Sequence, residues 1–142
     1  MNIFKTISLV LAVALTSMSG HTVSAQDLSK GLTAYLSGDF ATALKEFIPL
    51  AEQGNAVAQS MLGPMYYLGQ GVPQDYAQAF EWYSKAAEQG NADAQFGLGT
   101  MYALGHGVPQ DYAQAFEWHS KAAEQGVTAA QHMLGVMYRQ GA

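Results

Sequence analysis

The sequence predicts an all-α fold in which antiparallel helix pairs stack into a solenoid of about seven helices. The first observation is an internal repeat, because the string AEQG ends at Gly54, Gly90 and Gly126, 36 residues apart. Such a period is typical of stacked arrays, in which each unit buries its apolar face against its neighbours. The second is that apolar residues in each repeat follow the spacing of a helix. The third is that capping residues and glycine–proline turns separate the helical segments.

The N-terminal segment, residues 1–25, is predicted to be a signal peptide. Lys5 precedes an apolar run over Thr6–Leu15, and the small residues Val23 and Ala25 form a cleavage pattern. The run is shorter than the roughly 20 residues that a membrane-spanning helix needs. We therefore expect cleavage after Ala25 and a periplasmic or secreted bacterial protein without stable membrane insertion. An uncleaved N-terminal anchor is the alternative.

The composition argues against several kinds of partner. The chain of 142 residues has a net charge of −5, and removal of Lys5 makes the mature protein more acidic. Because no basic stripe is present to neutralise phosphates, we expect no nucleic-acid partner and no binding to anionic lipid. The chain has no cysteine, so disulfides cannot stabilise it and burial of apolar surface must do so.

The first unit, residues 26–54, is predicted to be a helix pair with a short connection. From Gly31 to Asp39 is eight residues, whereas from Gly63 to Asp75 in the next unit is twelve. The first unit therefore lacks the glycine–proline turn of the later units.

Residues 55–90 and 91–126 are predicted to be two full repeats, each made of two helices. In the second helix of the first repeat, Asp75 is a good N-cap, and Ala79, Trp82 and Ala86 follow helical spacing. Gly90 can take the positive φ that ends a helix.

The first helix of the second repeat is predicted to begin at Asn91 as its cap. Ala94, Leu98 and Met101 form its apolar face, and Pro109 in the following turn prevents the helix from continuing. Small residues at the helix contacts are expected to mark close packing, namely Gly63, Gly99, Ala79 and Ala115.

Pro64 falls inside the first helix of the first repeat. There it removes one backbone hydrogen bond and costs about 3 kcal/mol relative to an ordinary residue. Its equivalents are Thr100 and Val136, so the repeat does not need proline. Either the proline kinks the helix for function, or it is a tolerated defect.

The two full repeats are identical at 29 of 36 positions. The string GVPQDYAQAFEW occurs twice, over Gly71–Trp82 and Gly107–Trp118. The seven differing pairs are Val57/Asp93, Ser60/Phe96, Met61/Gly97, Pro64/Thr100, Tyr67/Ala103, Gln70/His106 and Tyr83/His119. We interpret the identical positions as caps, turns and packing faces.

The pattern A-x-A-Q-x-x-L-G-x-M-Y-x-x-G-x-G-V-P-Q-D-Y-x-x-A-x-x-W-x-x-K-A-A-E-Q-G resembles the Sel-1-like repeat, a relative of the tetratricopeptide repeat. The resemblance covers residues 55–126 fully and residues 127–142 as a half repeat with a capping helix. The unit at 26–54 is similar to an ordinary tetratricopeptide unit. The resemblance implies a right-handed α-solenoid and a role in protein–protein interaction, with the first helix of each unit lining a concave groove.

Several differing positions fall three or four residues apart on the predicted groove side of the first helices. We expect them to bind a protein or peptide partner, as helix-in-groove or peptide recognition requires; neutral drift at tolerant surface positions is the alternative. The candidate partner-binding residues are Val57, Ser60, Pro64, Tyr67, Asp93, Phe96, Thr100, Ala103, His132, Val136 and Arg139.

Catalytic, metal and cofactor sites are not expected. The sequence contains no G-x-S-x-G, S-x-x-K, Walker or dinucleotide-binding motif, and no cysteine nucleophile. His106, His119 and His132 form no metal-binding pattern and are interpreted as ordinary surface residues. Some cysteine-rich exported relatives are associated with β-lactam binding or hydrolysis. A hydrolase or small-ligand binder acting on β-lactams or cell-wall material is therefore the alternative function.

The half repeat at the C-terminal end is predicted to leave apolar surface exposed, including part of Met133, Met137 and Tyr138. Exposed apolar ends of solenoids tend to associate. We therefore expect a weak end-to-end homodimer.

Overall fold

The computed structural model of the chain describes residues 27–141, which fold as helices joined by short turns. The predicted signal peptide and its cleavage site after Ala25 lie outside the described residues. Within the described range there are seven helices: α1 (27–36), α2 (Phe40–Glu52), α3 (Ala56–Leu68), α4 (Tyr76–Glu88), α5 (Ala92–Leu104), α6 (Tyr112–Glu124) and α7 (Thr128–Gln140). None of these helices is long and apolar enough to cross a bilayer.

Consecutive helices pack as antiparallel pairs, which confirms the predicted all-α architecture of stacked helix pairs. From α2 to α7, each helix packs against the next one in the chain. In addition, α3 lies against α5 more extensively than α4 lies against α6. The array therefore curves so that α3 and α5 form its inner side and the even-numbered helices its outer side.

The helix ends carry the predicted caps. Asp75 Oδ1 accepts a hydrogen bond from the backbone N–H of Gln78 at 3.1 Å, and Asn91 Oδ1 accepts one from the backbone N–H of Ala94 at 2.9 Å. Each bond satisfies a donor that the first turn of a helix otherwise leaves unpaired. After α4, Gly90 has a φ of +89°, as predicted for a residue that ends a helix.

Buried glutamines explain why the strings AEQG and AxAQ are copied. Gln89 Nε2 donates to Gln59 Oε1 at 2.7 Å and to the last carbonyl of the preceding AEQG string at 3.1 Å. One repeat later, Gln125 donates to Gln95 Oε1 at 2.8 Å and to the equivalent carbonyl at 2.9 Å. Gln59 and Gln95 are only 4% and 6% exposed. Because a buried amide without a partner destabilises the fold, each copy needs both the buried glutamine of AxAQ and the glutamine of AEQG that donates to it.

The string GVPQDY is copied because the turn before each second helix requires a specific glutamine and a specific glycine. Gln74 Nε2 donates to the carbonyl of Tyr67, and Gln110 Nε2 to the carbonyl of Ala103, both at 2.8 Å. Gly107 has a φ of +71°, and a Cβ atom there would collide with the carbonyl oxygen of Tyr76 in the preceding unit. Glycine fits this position because it lacks a Cβ atom and tolerates positive φ.

Within each helix pair, a glycine on the first helix receives a ring from the second. A Cβ atom added to any of these glycines would lie within 3 Å of ring atoms. The glycine–ring pairs are Gly31 with Phe47, Gly63 with Tyr83, and Gly99 with His119. On α7, Gly135 has the same place in the repeat but meets no atom within 4 Å.

The interpretation of His119 as a surface residue is wrong. Its side chain is fully buried, and neither ring nitrogen has a hydrogen-bond partner among the described residues. Burial lowers the pKa of the imidazole below its usual range, so His119 is held in its neutral form. Position 119 is the ring position of its unit, occupied by Phe47 and Tyr83 in the earlier ones.

Pro64 does not end α3. The helix covers 13 residues, the same length as α5, which has Thr100 at the equivalent position. The hydroxyl of Thr100 donates to the carbonyl of Phe96 at 3.0 Å, a bond that proline cannot replace. The described fold therefore accommodates Pro64 within an uninterrupted helix.

Candidate functional site

The inner side of the array contains a depression of about 460 Å³, which we call the central hollow. Its walls come from α1, α3 and α5, and its floor from Tyr83 on α4. Ligand sites in proteins commonly have volumes of about 300–1,000 Å³. The residues that line the central hollow are Tyr35, Ser60, Met61, Pro64, Tyr67, Tyr83, Asp93, Phe96, Gly97 and Thr100.

The lining of the central hollow coincides with the positions at which the two full repeats differ. Nine of its ten residues belong to differing pairs, and the tenth, Tyr35, lies outside the aligned repeats. No residue from an identical position lines it. Gln70/His106 is the one differing pair with no lining residue, and His106 is hydrogen-bonded to the lining residue Tyr67. His119, which does not line the hollow, contacts the lining residue Phe96. The variation between the repeats is therefore concentrated at one place in the fold.

Tyr67 forms a fixed wall of the central hollow. Its hydroxyl is hydrogen-bonded to Nδ1 of His106 over 2.9 Å. His106 in turn stacks on Tyr76, with ring centroids 4.4 Å apart and an interplanar angle of 9°. Burial, and to a smaller extent the nearby Tyr76, raises the pKa of the Tyr67 phenol, which therefore stays protonated at neutral pH. Tyr67 and His106 are both at positions where the two repeats differ, and their hydrogen bond connects adjacent units.

Tyr83 forms the floor and is clamped between two helices. A Cβ atom at Gly63 on α3 or at Gly97 on α5 would overlap its ring. Burial raises the pKa of Tyr83 well above its usual range, and the neighbouring Tyr35, Tyr67 and Asp93 raise it further. Tyr83 therefore stays a neutral phenol at neutral pH.

Phe96 on α5 also lines the hollow and is supported by His119, with ring centroids 5.4 Å apart. Tyr35 at the open end packs edge-on against Phe40, at 5.6 Å. Each of the aromatic walls therefore has a second side chain behind it, which restricts its movement.

Asp93 is the charged residue of the central hollow. It lies in the first turn of α5 and is exposed. Among the described residues it takes part in no ion pair, and no lysine or arginine lines the hollow. Three lysines elsewhere are paired with glutamates: Lys30 with Glu46, Lys85 with Glu81, and Lys121 with Glu117. The hollow is thus acidic and unneutralised.

The structure places the predicted partner-binding residues in three locations. Six line the central hollow, namely Ser60, Pro64, Tyr67, Asp93, Phe96 and Thr100. Ala103 and Val136 line a separate depression of about 340 Å³ beside α7. Val57, His132 and Arg139 are exposed and line neither of these two depressions. The predicted face is therefore divided between two depressions and exposed positions outside both, and does not line one continuous hollow.

Sequence reasoning missed Met61, Tyr83, Gly97 and Tyr35 as lining residues. The first three were among the differing positions, but their spacing put them off the expected helix face. Tyr35 had no aligned copy to compare. If every differing position had been taken as a candidate, whatever its place on the helix, three of these four residues would have been predicted.

Hydrolytic chemistry gains no support from the central hollow. The Ser60 hydroxyl donates to the carbonyl of Val57 at 2.8 Å, and the Thr100 hydroxyl donates to a helix carbonyl as well. No lysine or histidine is among the lining residues to activate either hydroxyl. Asp93 and the phenols are its ionisable groups.

Family comparison agrees with the repeat architecture. The model of the Sel1 repeat matches residues 56–91, 92–127 and 128–142, which is more than half of the chain. The chain belongs to the Sel1 repeat family. A comparison with curated protein sequences gives no match.

Solved Sel1 repeat structures share the fold. A Sel1 repeat protein from Oxalobacter formigenes is 36% identical with a TM-score of 0.74, over 78% of this chain and 46% of that protein. A protective antigen of uropathogenic Escherichia coli strains, which displays an SLR fold, is 40% identical with a TM-score of 0.79, over 90% of this chain and 28% of the antigen. This chain thus spans less than half the length of either protein.

Cysteine rich protein B from Helicobacter pylori has a TM-score of 0.61 at 21% identity, over 79% of this chain and 95% of that protein. At this identity the similarity shows the shared fold alone.

Proposed function

We propose that this Sel1 repeat protein is a non-enzymatic interaction module that binds a polypeptide segment of a partner protein in the central hollow. In a stacked array, each unit must pack against its neighbours in the same way, so equivalent packing positions carry the same residue in each unit. The positions that escape this requirement converge on one concave surface with supported aromatic walls. That convergence is the observation that carries the proposal.

The dimensions and chemistry of the central hollow fit a peptide segment. It is open to solvent along the inner side, and it combines aromatic and aliphatic walls with hydroxyl groups and one carboxylate. Aromatic residues are enriched where proteins bind one another, because they bury a large area with few rotatable bonds. We further propose that the protein acts outside the cytoplasm, on the strength of the N-terminal segment.

Site-specific photo-crosslinking tests the proposed binding surface. A photo-reactive phenylalanine analogue is placed at Thr100 inside the central hollow or at the exposed Ala113 on α6. We expect one dominant crosslinked partner from extracts of the source cells with the probe at Thr100, and none with the probe at Ala113. The same partner captured equally from both positions would contradict binding in the hollow.

A double variant provides the control for this experiment. Tyr67→Ala and Phe96→Ser introduce residues that the sibling repeats carry at the equivalent positions, Ala103 and Ser60. The fold is therefore expected to tolerate them. Loss of the crosslink with an unchanged melting temperature supports the proposal, and an undiminished crosslink argues against it.

We also propose weak self-association through the face of α7. Tyr138 is 68% exposed on this helix, and the depression beside it is lined by Ala103, Tyr112, Met133, Val136, Met137 and Gln140. Apolar surface of this kind promotes association between copies.

A further inference from the structure

We propose that the central hollow recognises its partner through one basic side chain, an arginine or a lysine, which enters between the aromatic walls and pairs with Asp93. This inference rests on the proposed function, because it names the chemistry of the segment bound at the same site. It makes the hollow a specificity pocket for a cationic residue and not a general apolar groove.

The first argument is charge. Asp93 lines the hollow with no cationic partner among residues 27–141, and the lining contains no lysine or arginine. The preceding repeat has Val57 at the equivalent position, so the carboxylate is not required for stacking of the units. A carboxylate that the scaffold does not need is available to bind a ligand cation.

The second argument is the aromatic lining. Tyr67 and Phe96 come from neighbouring inner helices and Tyr83 from α4, and all three rings line the same hollow as Asp93. The face of an aromatic ring carries partial negative charge and attracts ammonium and guanidinium groups within about 6 Å. Arginine in particular stacks on such rings while its N–H groups reach a carboxylate.

The third argument is that the walls are held in place before any ligand binds. His106 fixes the hydroxyl of Tyr67 at 2.9 Å, His119 lies behind Phe96, and two glycines clamp Tyr83. A pocket that is already formed loses little conformational entropy on binding. An adaptable apolar groove would instead be lined by flexible side chains, and Met61 is the sole methionine in this lining.

The experiment is an NMR titration with blocked heptapeptides that differ in one residue. The probes are acetyl-Ser-Ala-Ser-X-Ser-Ala-Ser-amide with X as arginine, citrulline or leucine. Citrulline has nearly the shape of arginine without its charge, so the pair isolates the cationic contribution. The amide signals of Gly97 in the hollow and of Lys121 on the outer side report where each peptide binds.

We expect the arginine peptide to shift the Gly97 signal and to bind at least roughly tenfold more tightly than the citrulline peptide, which corresponds to the range of cation–π and ion-pair contributions. Asp93→Asn, or Asp93→Val as in the preceding repeat, should abolish this preference. Glu124→Gln, which removes an equal charge from an exposed position on α6, should preserve it. Tyr67→Ala should weaken the arginine peptide severalfold more than the leucine peptide.

Other outcomes separate this inference from the proposed function. If the leucine or citrulline peptide binds the hollow as tightly as the arginine peptide, the cationic pocket is wrong and binding in the hollow stands. The arginine peptide could also shift the amide signals of Lys121 and Gly97 equally, and by the same amounts in wild type and in Asp93→Asn. That result would show general charge attraction to an acidic protein and would overturn the inference. If no peptide shifts Gly97 while the crosslink from Thr100 persists, the basic side chain is the wrong ligand and the proposed function survives.

Discussion

At the scale of single residues, differences between the repeats come in contacting sets. Tyr67 replaces the alanine of the sibling repeat, and the histidine at 106 that replaces glutamine is the residue that bonds its hydroxyl. Tyr83 has a larger reach than the imidazole of His119, and Gly97 provides the space for its ring where the other units carry methionine. In both of these sets, a change is accompanied by another that is distant in sequence and adjacent in the fold.

His119 provides a prediction about pH. Its folded-state pKa is lowered by burial, so below the unfolded-state value of about 6.5 the unfolded chain binds a proton that the folded protein excludes. Stability should therefore be greatest above that pH and fall as the pH drops through it. His119→Phe, which introduces the residue found at position 47, should remove this part of the pH dependence.

The measurement is urea unfolding of both proteins at about pH 7.5 and about pH 5.5. His119→Phe should also stabilise the protein at the higher pH, by about 1 kcal/mol or more, because two buried nitrogens without partners are removed. His132→Gln, at an exposed histidine on α7, is the control. An identical loss of stability on acidification in wild type and His119→Phe would refute this account.

At the scale of helices, the array depends on glycines that allow a ring to lie against a helix backbone. Helix interiors normally disfavour glycine, by about 1 kcal/mol relative to alanine. Gly63 is nevertheless retained because Tyr83 occupies the space where its side chain would be. The contact allows the two helices of a unit to pack closely.

Gly63→Ala and Gly135→Ala form a matched pair. At Gly63 the added methyl meets a ring that is also held by Gly97, so we expect destabilisation by about 1–3 kcal/mol. At Gly135 it meets open space, so the gain in helix propensity should stabilise the protein by up to about 1 kcal/mol. Thermal unfolding measures both changes in stability. Equal effects of the two substitutions would contradict the explanation that Gly63 is needed to make room for the ring of Tyr83.

Pro64 and Thr100 form a reciprocal pair. Pro64→Thr should raise the melting temperature, because it restores a backbone donor within α3, and the lost donor costs about 3 kcal/mol in an ordinary helix. Thr100→Pro should lower it at the equivalent place in α5. An unchanged or lower melting temperature for Pro64→Thr would mean that α3 is not strained.

At the scale of the whole molecule, curvature of the stack creates the central hollow. Residues from α1, α3, α4 and α5 line it, so three successive helix pairs contribute. No pair could form it alone, because its floor and its two main walls come from different units. Binding at this site should therefore stabilise the contacts between neighbouring units.

Self-association is also a property of the whole molecule. We expect the average mass in sedimentation experiments to increase with protein concentration, because α7 presents apolar surface to solvent. Met133→Gln should reduce the association, whereas the exposed His132→Gln on the same helix should not. A strictly monomeric mass at the highest attainable concentration would exclude it.

The helix pairs, their caps and their turns could be predicted from the sequence because these features depend on residues close together in the chain. Asp75, Asn91 and Gly90 act within one turn of a helix, and an internal repeat shows the pattern three times. The burial of His119 could not be predicted in this way. Its polarity suggests the surface, and the glycine that receives it lies on another helix.

The stacked helical array, and the positions at which its repeats differ, can be read from the order of the residues. Which of those positions meet in space depends on how the helices pack. Curvature brings Tyr67, Tyr83, Asp93 and Phe96 to one hollow, while His132 and Arg139 remain apart from it. The physical reason is that helical spacing places residues on a face of their own helix, whereas the packing of glycines against rings sets how the faces of different helices converge.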